Sequence, residues 1–220
     1  MYKTYPDSNL QQCKTKVFWG ELAPCDHIVQ IYENDDVFLD LLEGFIGDGI
    51  NEGDSVIVIA TDVHLQAIQD RLMAHAVRVD ILISESQYIP LNAEETLSKF
   101  MVNGWPDETL FLELITELTA KSRVKNRQVR AFGEMVALLW AKGHCGATVQ
   151  LEHLWNKFCK TESLRLFCAY PKAGFTQEAT TSLQTICETH SKVITDFNRS
   201  TTDIFYQEVE NERRVKTTHF

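Results

Sequence analysis

Residues 27–60 read HIVQIYENDDVFLDLLEGFIGDGINEGDSVIVIA. The first six are a strand-like apolar run, and residues 34–36 (Asn-Asp-Asp) supply side chains of the kind that cap helices. Apolar residues then recur at helical spacing until Gly47 and Gly49, where we expect the helix to end. Residues 55–60 are mostly β-branched, with apolar residues at both odd and even positions, which is typical of a strand buried on both faces. This segment predicts a strand, a helix and a central parallel strand.

The alternation of strands and helices continues along the chain. Further helices are predicted over residues 62–76, 92–103, 108–121, 135–142 and 148–159, further strands over 79–83, 129–133 and 164–170, and a turn over 103–107. Such alternation predicts a layered α/β domain with a mostly parallel central sheet. After Thr176 the chain is polar with spaced apolar residues, which predicts one long helix or two shorter ones up to about Arg214.

Composition excludes some classes of protein. The 220 residues are 44% hydrophobic and 24% charged, as in a globular protein with one core and a tail. The 21 basic and 31 acidic residues give a net charge of -10, which repels a phosphate backbone, so we expect no direct nucleic-acid binding. No apolar run approaches the roughly 20 residues that cross a bilayer, and Met1–Gln12 does not resemble a signal peptide. We therefore expect a cytoplasmic protein without membrane contact.

Motifs for catalysis and metal binding are not evident. The six cysteines are widely spread and form no CxxC pair, so neither a disulfide framework nor a four-thiolate zinc site is indicated. No HExxH helix, Ser/His/Asp order or dense His/Cys cluster stands out. We therefore predict no catalytic residue, no metal site and no cofactor.

The loop after the first strand, residues 32–36, reads Tyr-Glu-Asn-Asp-Asp. In phosphate-binding α/β domains, a glycine-rich loop ending in Lys and Ser/Thr occupies this position. Here three acidic side chains and no glycine or lysine are present, so a nucleotide polyphosphate would meet repulsion instead of a cationic nest. The loop argues against ATP hydrolysis.

Two candidate ligand-binding residues lie where strands end. Glu134 follows the strand at 129–133, at the carboxyl edge of the sheet, where open α/β folds bind ligands. The alternative is that Glu134 caps the next helix or pairs with Arg130 or another nearby cation. Tyr32 ends the first strand and is similarly placed, whereas His27 begins that strand at odd spacing from Tyr32 and is expected on the opposite face. His27 is a weaker candidate, because a lone histidine there is more often structural.

Three further candidates lie later in the chain. Cys168 and Tyr170 share a face near the end of the fifth strand, and the Cys168 thiol would respond to oxidants if it were exposed. The alternative is that Cys168 is a small buried apolar residue. Glu152 lies on a helix whose leucines are core residues first. We expect any pocket at the carboxyl ends of the strands, lined by Tyr32, Glu134, Cys168 or Tyr170.

Four ordered segments carry a resemblance to a known family. They are residues 27–32 with the acidic loop, 129–140, 151–156 and 166–171. Over roughly residues 27–192 the chain resembles the MEDS family, the methanogen and methylotroph DcmR-type sensory domain. The resemblance implies a three-layer RecA-like fold, close to RecA and KaiC ATPases but without their phosphate-binding loop. It also implies a non-catalytic sensory role, with a small-molecule signal and a partner such as a histidine kinase or transcription regulator.

The resemblance divides the chain into three parts and leaves alternatives open. Residues 1–26 are an expected N-terminal arm, 27–192 the sensory domain, and 193–220 a helical tail or connector that contacts a partner or a second copy. Three other interpretations are an interaction scaffold without a small-molecule ligand, a residual nucleotide binder, and a redox sensor using Cys168 or Cys145. A strand-end face filled by side chains would favour the scaffold.

Overall fold

A seven-stranded sheet organises the molecule. The structure is a computed structural model that describes Trp19 and residues 22–175, 180–195 and 205–208. The strands of this sheet are β1 (His27–Tyr32), β2 (Ser55–Ala60), β3 (Tyr88–Asn92), β6 (Val129–Gly133), β7 (Arg165–Pro171), β8 (Lys192–Thr195) and β9 (Phe205–Glu208). Their order is β3-β2-β6-β7-β1-β8-β9, and all neighbours are parallel except β8 and β9. A separate hairpin pairs β4 (Met101–Val102) with β5 (Trp105–Pro106) around the turn predicted there.

Helices cover both faces of the sheet. They are α1 (Asp35–Asn51), α2 (Asp62–Ala74), α3 (Val79–Ser84), α4 (Ala93–Ser98), α5 (Glu108–Ser122), α6 (Met135–Ala141), α7 (Cys145–Glu162) and α8 (Thr180–Thr189). One apolar cluster joins α1 to α3 with the sheet, and a second joins α4 to α8 with its other face. Every residue of β1 and β2 is buried, because both strands lie between these layers. The predicted three-layer α/β fold is confirmed.

The first helix is longer than its glycines indicated. Asn34 caps α1 by accepting a hydrogen bond from the Asp36 N–H at 2.7 Å, as predicted. The helix then passes through Gly47 and Gly49 to Asn51, so the expected end at the glycines is wrong. Gly49 has a packing role: a Cβ there would lie 2.6 Å from Cδ of Arg130. The missing side chain makes room for a buried guanidinium.

That guanidinium belongs to an ion network at the amino end of the sheet. Arg130 is 2% exposed and donates to Asp54 Oδ2 from Nε at 2.9 Å and from Nη2 at 2.7 Å. Its Nη1 donates to Asp48 at 3.0 Å, and Arg165 reaches the same Asp54 oxygen at 3.2 Å. The network ties α1 to β6 and β7 with each buried charge paired, as burial of charges requires.

The third strand of the prediction is wrong. Residues 79–83 lie in the short helix α3, and the strand is Tyr88–Asn92. Ile81 and Ile83 are 43% and 45% exposed, so their alternation did not reflect a buried strand. β3 pairs with β2 alone and lies at the sheet's edge, where Pro90 is tolerated. Partial burial and a proline weaken the apolar pattern that marks a central strand.

The predicted C-terminal helix is also corrected. It is helical at Thr180–Thr189, but residues 192–195 and 205–208 are strands, so the expectation of a helical tail from residue 193 is wrong for these described residues. Val193 and Ile194 are buried because β8 lies beside the central β1. The predicted N-terminal arm lies mostly outside the described residues, although Trp19 is 1% exposed against Phe45 and Phe167.

No helix among the described residues combines the length and apolar character needed to cross a bilayer.

Candidate functional site

The candidate residues divide between the two faces of the sheet. Along β1, His27 points toward the α7 face and Tyr32 toward the α1 face, as their odd spacing predicted. Cys168 and Tyr170 share a face of β7, also as predicted, and it is the face of His27. Tyr32 therefore lies on the face of the sheet opposite to Cys168 and Tyr170. Two separate polar clusters result.

The first, which we call the edge cluster, consists of Tyr32, Thr61, His64 and Glu134. Glu134 lies between β6 and α6, and its Oε2 accepts a hydrogen bond from the Thr61 N–H at 2.8 Å. Its Oε1 lies 2.8 Å from Nδ1 of His64. The Glu134 side chain does not cap α6, and its partner is His64 and not Arg130, so the structural alternative that the structure shows is pairing with another nearby basic side chain, on α2.

Charge and burial set the protonation of the edge cluster. The hydrogen bond from Glu134 raises the pKa of His64, with further support from the charges of Glu134 and Asp35 against the opposing effect of burial. Burial, followed by the same two carboxylates, raises the pKa of Tyr32. Tyr32 also stacks on Phe38, with ring centroids 4.7 Å apart. The raised pKa values favour a neutral phenol at Tyr32 and the charged form of His64, and the contact between His64 and Glu134 joins α2 to the sheet edge.

The second, which we call the inner cluster, lies within the core. It consists of His27, Glu152, Cys168, Tyr170 and His190. Each side chain is at most 2% exposed. They come from β1, α7, β7 and the residue after α8, so the fold brings together parts of the chain as distant as His27 and Cys168, which are 141 positions apart.

Glu152 lies at the centre of the inner cluster. Its Oε2 is 3.4 Å from Nε2 of His27 and 3.4 Å from Nε2 of His190, and 4.0 Å from Sγ of Cys168. Sγ of Cys168 is 3.5 Å from Nε2 of His27. The other carboxylate oxygen, Oε1, accepts a hydrogen bond from the Tyr170 hydroxyl. One carboxylate thus faces four polar groups in an otherwise apolar layer.

Burial favours the neutral forms of His27, Cys168 and Tyr170 around Glu152. It lowers the pKa of His27 well below its ordinary value, and the neighbouring His190 lowers it further. Burial and then the Glu152 charge raise the pKa values of Cys168 and Tyr170 well above their ordinary values. In this state Cys168 is a buried thiol and not an exposed thiolate, which argues against the oxidant-sensing interpretation for this residue.

The inner cluster adjoins a polar junction that holds the C-terminal strand. Ser191 Oγ donates to Asp26 Oδ1 at 3.1 Å and accepts from the His27 N–H at 3.0 Å. Lys192 Nζ donates to Asp26 Oδ2 at 2.7 Å, and the Ser191 N–H donates to the His27 carbonyl at 2.7 Å. We call residues 190–192 the latch, because they join β8 to the start of β1.

Two histidines, His64 of the edge cluster and His190 of the inner cluster, were not identified from the sequence. His190 lies in a polar stretch expected to form one long helix or two shorter ones, and His64 lies on the helix predicted over residues 62–76, so neither belonged to a motif with fixed spacing. Only the sheet topology makes them neighbours of Glu152 and Glu134. Burial of a histidine cannot be deduced from a short pattern that is mainly polar.

Solved structures share the architecture. A Pyrococcus horikoshii OT3 protein from a structural study superimposes with a TM-score of 0.59 at 10% identity, covering 90% of this chain and 94% of that one. A KaiC-like protein from the same organism gives 0.58 at 10% identity, covering 86% and 82%. The flagellar accessory protein FlaH from Methanocaldococcus jannaschii gives 0.52 at 12% identity, covering 88% and 80%. The fold is that of the RecA/KaiC-like class.

The family is narrower than the fold. The model of the MEDS family, described as the methanogen/methylotroph DcmR sensory domain, matches residues 26–191. The chain belongs to this family. A search of curated proteins found no match. The inner cluster, from His27 to His190, lies wholly inside the matched segment.

Proposed function

We propose that the chain is a non-catalytic sensory domain that detects its signal at the inner cluster and passes the signal to a partner protein. The observation that carries this proposal is the cluster itself, a set of buried polar groups around Glu152 in an apolar layer. Uncompensated burial of such groups costs stability, so a core that retains them has a use for them. The description of the family as a sensory domain supports the same role.

A nucleotide is a poor candidate for that signal. In the RecA-like class the phosphates would lie at the start of α1, after β1. Here Glu33, Asp35 and Asp36 are exposed at that position, and the Asn34 side chain already occupies the Asp36 N–H. Negative side chains at this helix N-terminus repel a polyphosphate. The domain is therefore proposed to bind without hydrolysing.

The route of transmission runs through the latch. His190 belongs to both the inner cluster and the latch, and the next two residues fasten β8 to Asp26. A signal that changes the distance between His190 and Glu152 shifts the balance between latched and released arrangements of the C-terminal segment. The partner that reads this change is proposed to be a signalling protein such as a histidine kinase or transcription regulator.

Native mass spectrometry of the full chain as purified tests the proposal. We expect a non-covalent adduct that is lost on denaturation, present in wild type and in Glu134→Gln, and absent from Glu152→Gln. Hydrogen exchange of residues 186–195 should rise in Glu152→Gln, whereas Glu134→Gln should change exchange near Thr61 and His64 instead. A bare wild-type mass, or exchange at 186–195 that does not respond to Glu152→Gln, would overturn the sensory proposal.

A scaffold without a small-molecule ligand is a second candidate, and one observation favours it. The carboxyl edge of the sheet is filled by side chains: Tyr32 and Glu134 are 6% and 7% exposed, and Phe38 stacks on Tyr32. We therefore propose that Tyr32 and Glu134 hold α1 and α2 in place and do not contact the signal. Under the scaffold interpretation, the wild-type protein would carry a protein partner and no small adduct.

A further inference from the structure

The donor atoms of four inner-cluster residues have the spacing of a coordination shell. One ligand atom each from His27, Glu152, Cys168 and His190 lies within 4.8 Å of the other three. Around a tetrahedral zinc ion, Zn–N and Zn–O bonds of ~2.0–2.1 Å place neighbouring donors about 3.3 Å apart, and a Zn–S bond of ~2.3 Å widens an N–S edge to about 3.6 Å. The observed distances are 3.4 Å for both N–O pairs and 3.5 Å between Nε2 of His27 and Sγ of Cys168, close to these values, whereas Oε2 of Glu152 and Sγ of Cys168 are 4.0 Å apart, longer than the ideal of about 3.6 Å.

The two N–O contacts are longer than ordinary hydrogen bonds. A nitrogen and an oxygen that share a proton lie 2.7–3.2 Å apart, closer than the 3.4 Å between Glu152 and either histidine. Nε2 of His190 is buried and has no hydrogen-bond partner in the described part of the chain. The imidazole rings of His27 and His190 lie only 3.9 Å apart, which is unfavourable if both are charged. An ion among the four donors accounts for all three features.

Neighbouring groups orient the ligands toward a common centre. Nδ1 of His190 lies 2.6 Å from the Ile186 carbonyl, which fixes its proton there and leaves the Nε2 lone pair for a metal. The Tyr170 hydroxyl donates to Oε1 of Glu152, which leaves Oε2 facing the two histidines and the cysteine. Such outer-shell hydrogen bonds commonly accompany histidine and carboxylate ligands.

Charge balance points in the same direction. Among the described residues, no lysine or arginine lies within ion-pair distance of Glu152, although its side chain is 0% exposed. A divalent cation would compensate this carboxylate. Binding would also release the Cys168 proton to solvent, so that one thiolate and one carboxylate neutralise the two positive charges. The neutral histidines add no charge, and the buried site is electrically balanced.

We propose that His27, Glu152, Cys168 and His190 bind one divalent first-row transition-metal ion, Zn²⁺ foremost. The two nitrogens, one oxygen and one sulfur form a borderline-soft set that suits zinc and excludes Mg²⁺ and Ca²⁺, which take oxygen ligands. Four protein ligands in a closed core leave no open position for substrate, as in non-catalytic zinc sites. The metal site itself is argued from geometry alone, and the inference rests on the proposed function only where it places the signal at the same cluster.

Metal content and a cobalt spectrum test the site. Elemental analysis of the full chain as purified should give one zinc per chain for wild type and for Cys159→Ser, and less than a tenth of that for Cys168→Ser. Cys159 is the matched control, because it is equally buried on α7 but is not a ligand. Chelator-treated wild type supplied with Co²⁺ should develop visible bands of tetrahedral cobalt and an S-to-Co band in the ultraviolet.

The same measurements can also contradict the metal site. Absence of the cobalt bands from wild type, or equal metal in Cys168→Ser and Cys159→Ser, would overturn the metal site. If Cys168→Ser fails to fold by circular dichroism, X-ray absorption of the wild-type zinc protein decides, since one sulfur ligand is expected. An organic adduct without metal would sink this inference and leave the sensory proposal standing. Bound zinc with exchange at residues 186–195 that does not respond to Glu152→Gln would support the metal site and overturn the sensory proposal.

Discussion

At the scale of single residues, the clearest contrast is between two buried glutamates. Glu134 pairs with His64, whose pKa it raises, so this carboxylate faces a side chain whose positive form it stabilises. Glu152 faces two histidines, and burial lowers the pKa of one of them, His27. The same residue type therefore makes an ion pair at the sheet edge and a candidate metal ligand in the core.

The His64–Glu134 pair predicts a pH-dependent stability. Because the folded pKa of His64 lies above its unfolded value of 6.5, the pair stabilises the fold fully below pH 6.5. This stabilisation is lost as pH rises through the raised pKa. The difference in free energy of unfolding between wild type and His64→Gln should be about 1.5 kcal/mol at pH 6 and smaller at pH 9. Urea denaturation at both pH values measures it.

His75 provides the control for that experiment. It pairs with Glu43 on the surface and is 74% exposed, so the pair is screened by solvent. His75→Gln should change stability little at either pH. A His64→Gln effect that is equal at pH 6 and pH 9 would contradict the assigned role of the pair.

At the scale of elements, helix α1 shows how tertiary contacts decide whether replacing a glycine raises or lowers stability. Gly47 has open space where a Cβ would lie, whereas a Cβ on Gly49 would meet Arg130 and Val56 within 3 Å. Alanine favours a helix interior over glycine by roughly 0.5–1 kcal/mol. That gain is available at Gly47 and is opposed at Gly49 by displacement of a buried ion network.

We therefore expect opposite signs for two alanine substitutions in α1. Gly47→Ala should raise the free energy of unfolding by about 0.5–1 kcal/mol, and Gly49→Ala should lower it by roughly 1–3 kcal/mol through overpacking. Chemical denaturation of both variants measures this. Stabilisation by Gly49→Ala would show that Arg130 moves aside without cost, and the proposed packing role would be wrong.

The elements that the sequence predicts best are those buried on both faces. β1, β2, β6 and β7 were located within a residue or two, because an apolar run on both parities is specific for a central strand. β3 and β8 were missed, since β3 is a half-buried edge strand and β8 is only four residues long. The inner cluster was predicted in part: four of its five residues were candidates, but their association with His190 depends on long-range topology.

At the scale of the whole molecule, the sheet is RecA/KaiC-like, but the loop after β1 is acidic where a phosphate-binding loop would be rich in glycine. The loop after β1 exposes Glu33, Asp35 and Asp36. The fold is shared with the KaiC-like protein at 10% identity, which establishes architecture and not activity. The inner cluster lies on the opposite side of β1 from Tyr32, away from this acidic loop.

We expect the full chain neither to bind nor to hydrolyse ATP. Addition of ATP with Mg²⁺ should leave the melting temperature unchanged relative to Mg²⁺ alone, and phosphate release should equal that of buffer. The reason is repulsion between the polyphosphate and the acidic start of α1. A saturable thermal shift with ATP, or phosphate release that scales with protein concentration, would reinstate the nucleotide interpretation.

The position of His190 has a consequence for how the protein is made. The ribosome releases β1, α7 and β7 before residue 190 emerges, so His27, Glu152 and Cys168 are already present while their fourth partner is still missing. Strand β8 also joins the sheet only at this stage, beside the earlier strand β1. The domain therefore completes its core only after residue 190 has been synthesised, and a nascent chain that ends before His190 leaves the central strand β1 with one of its edges unpaired.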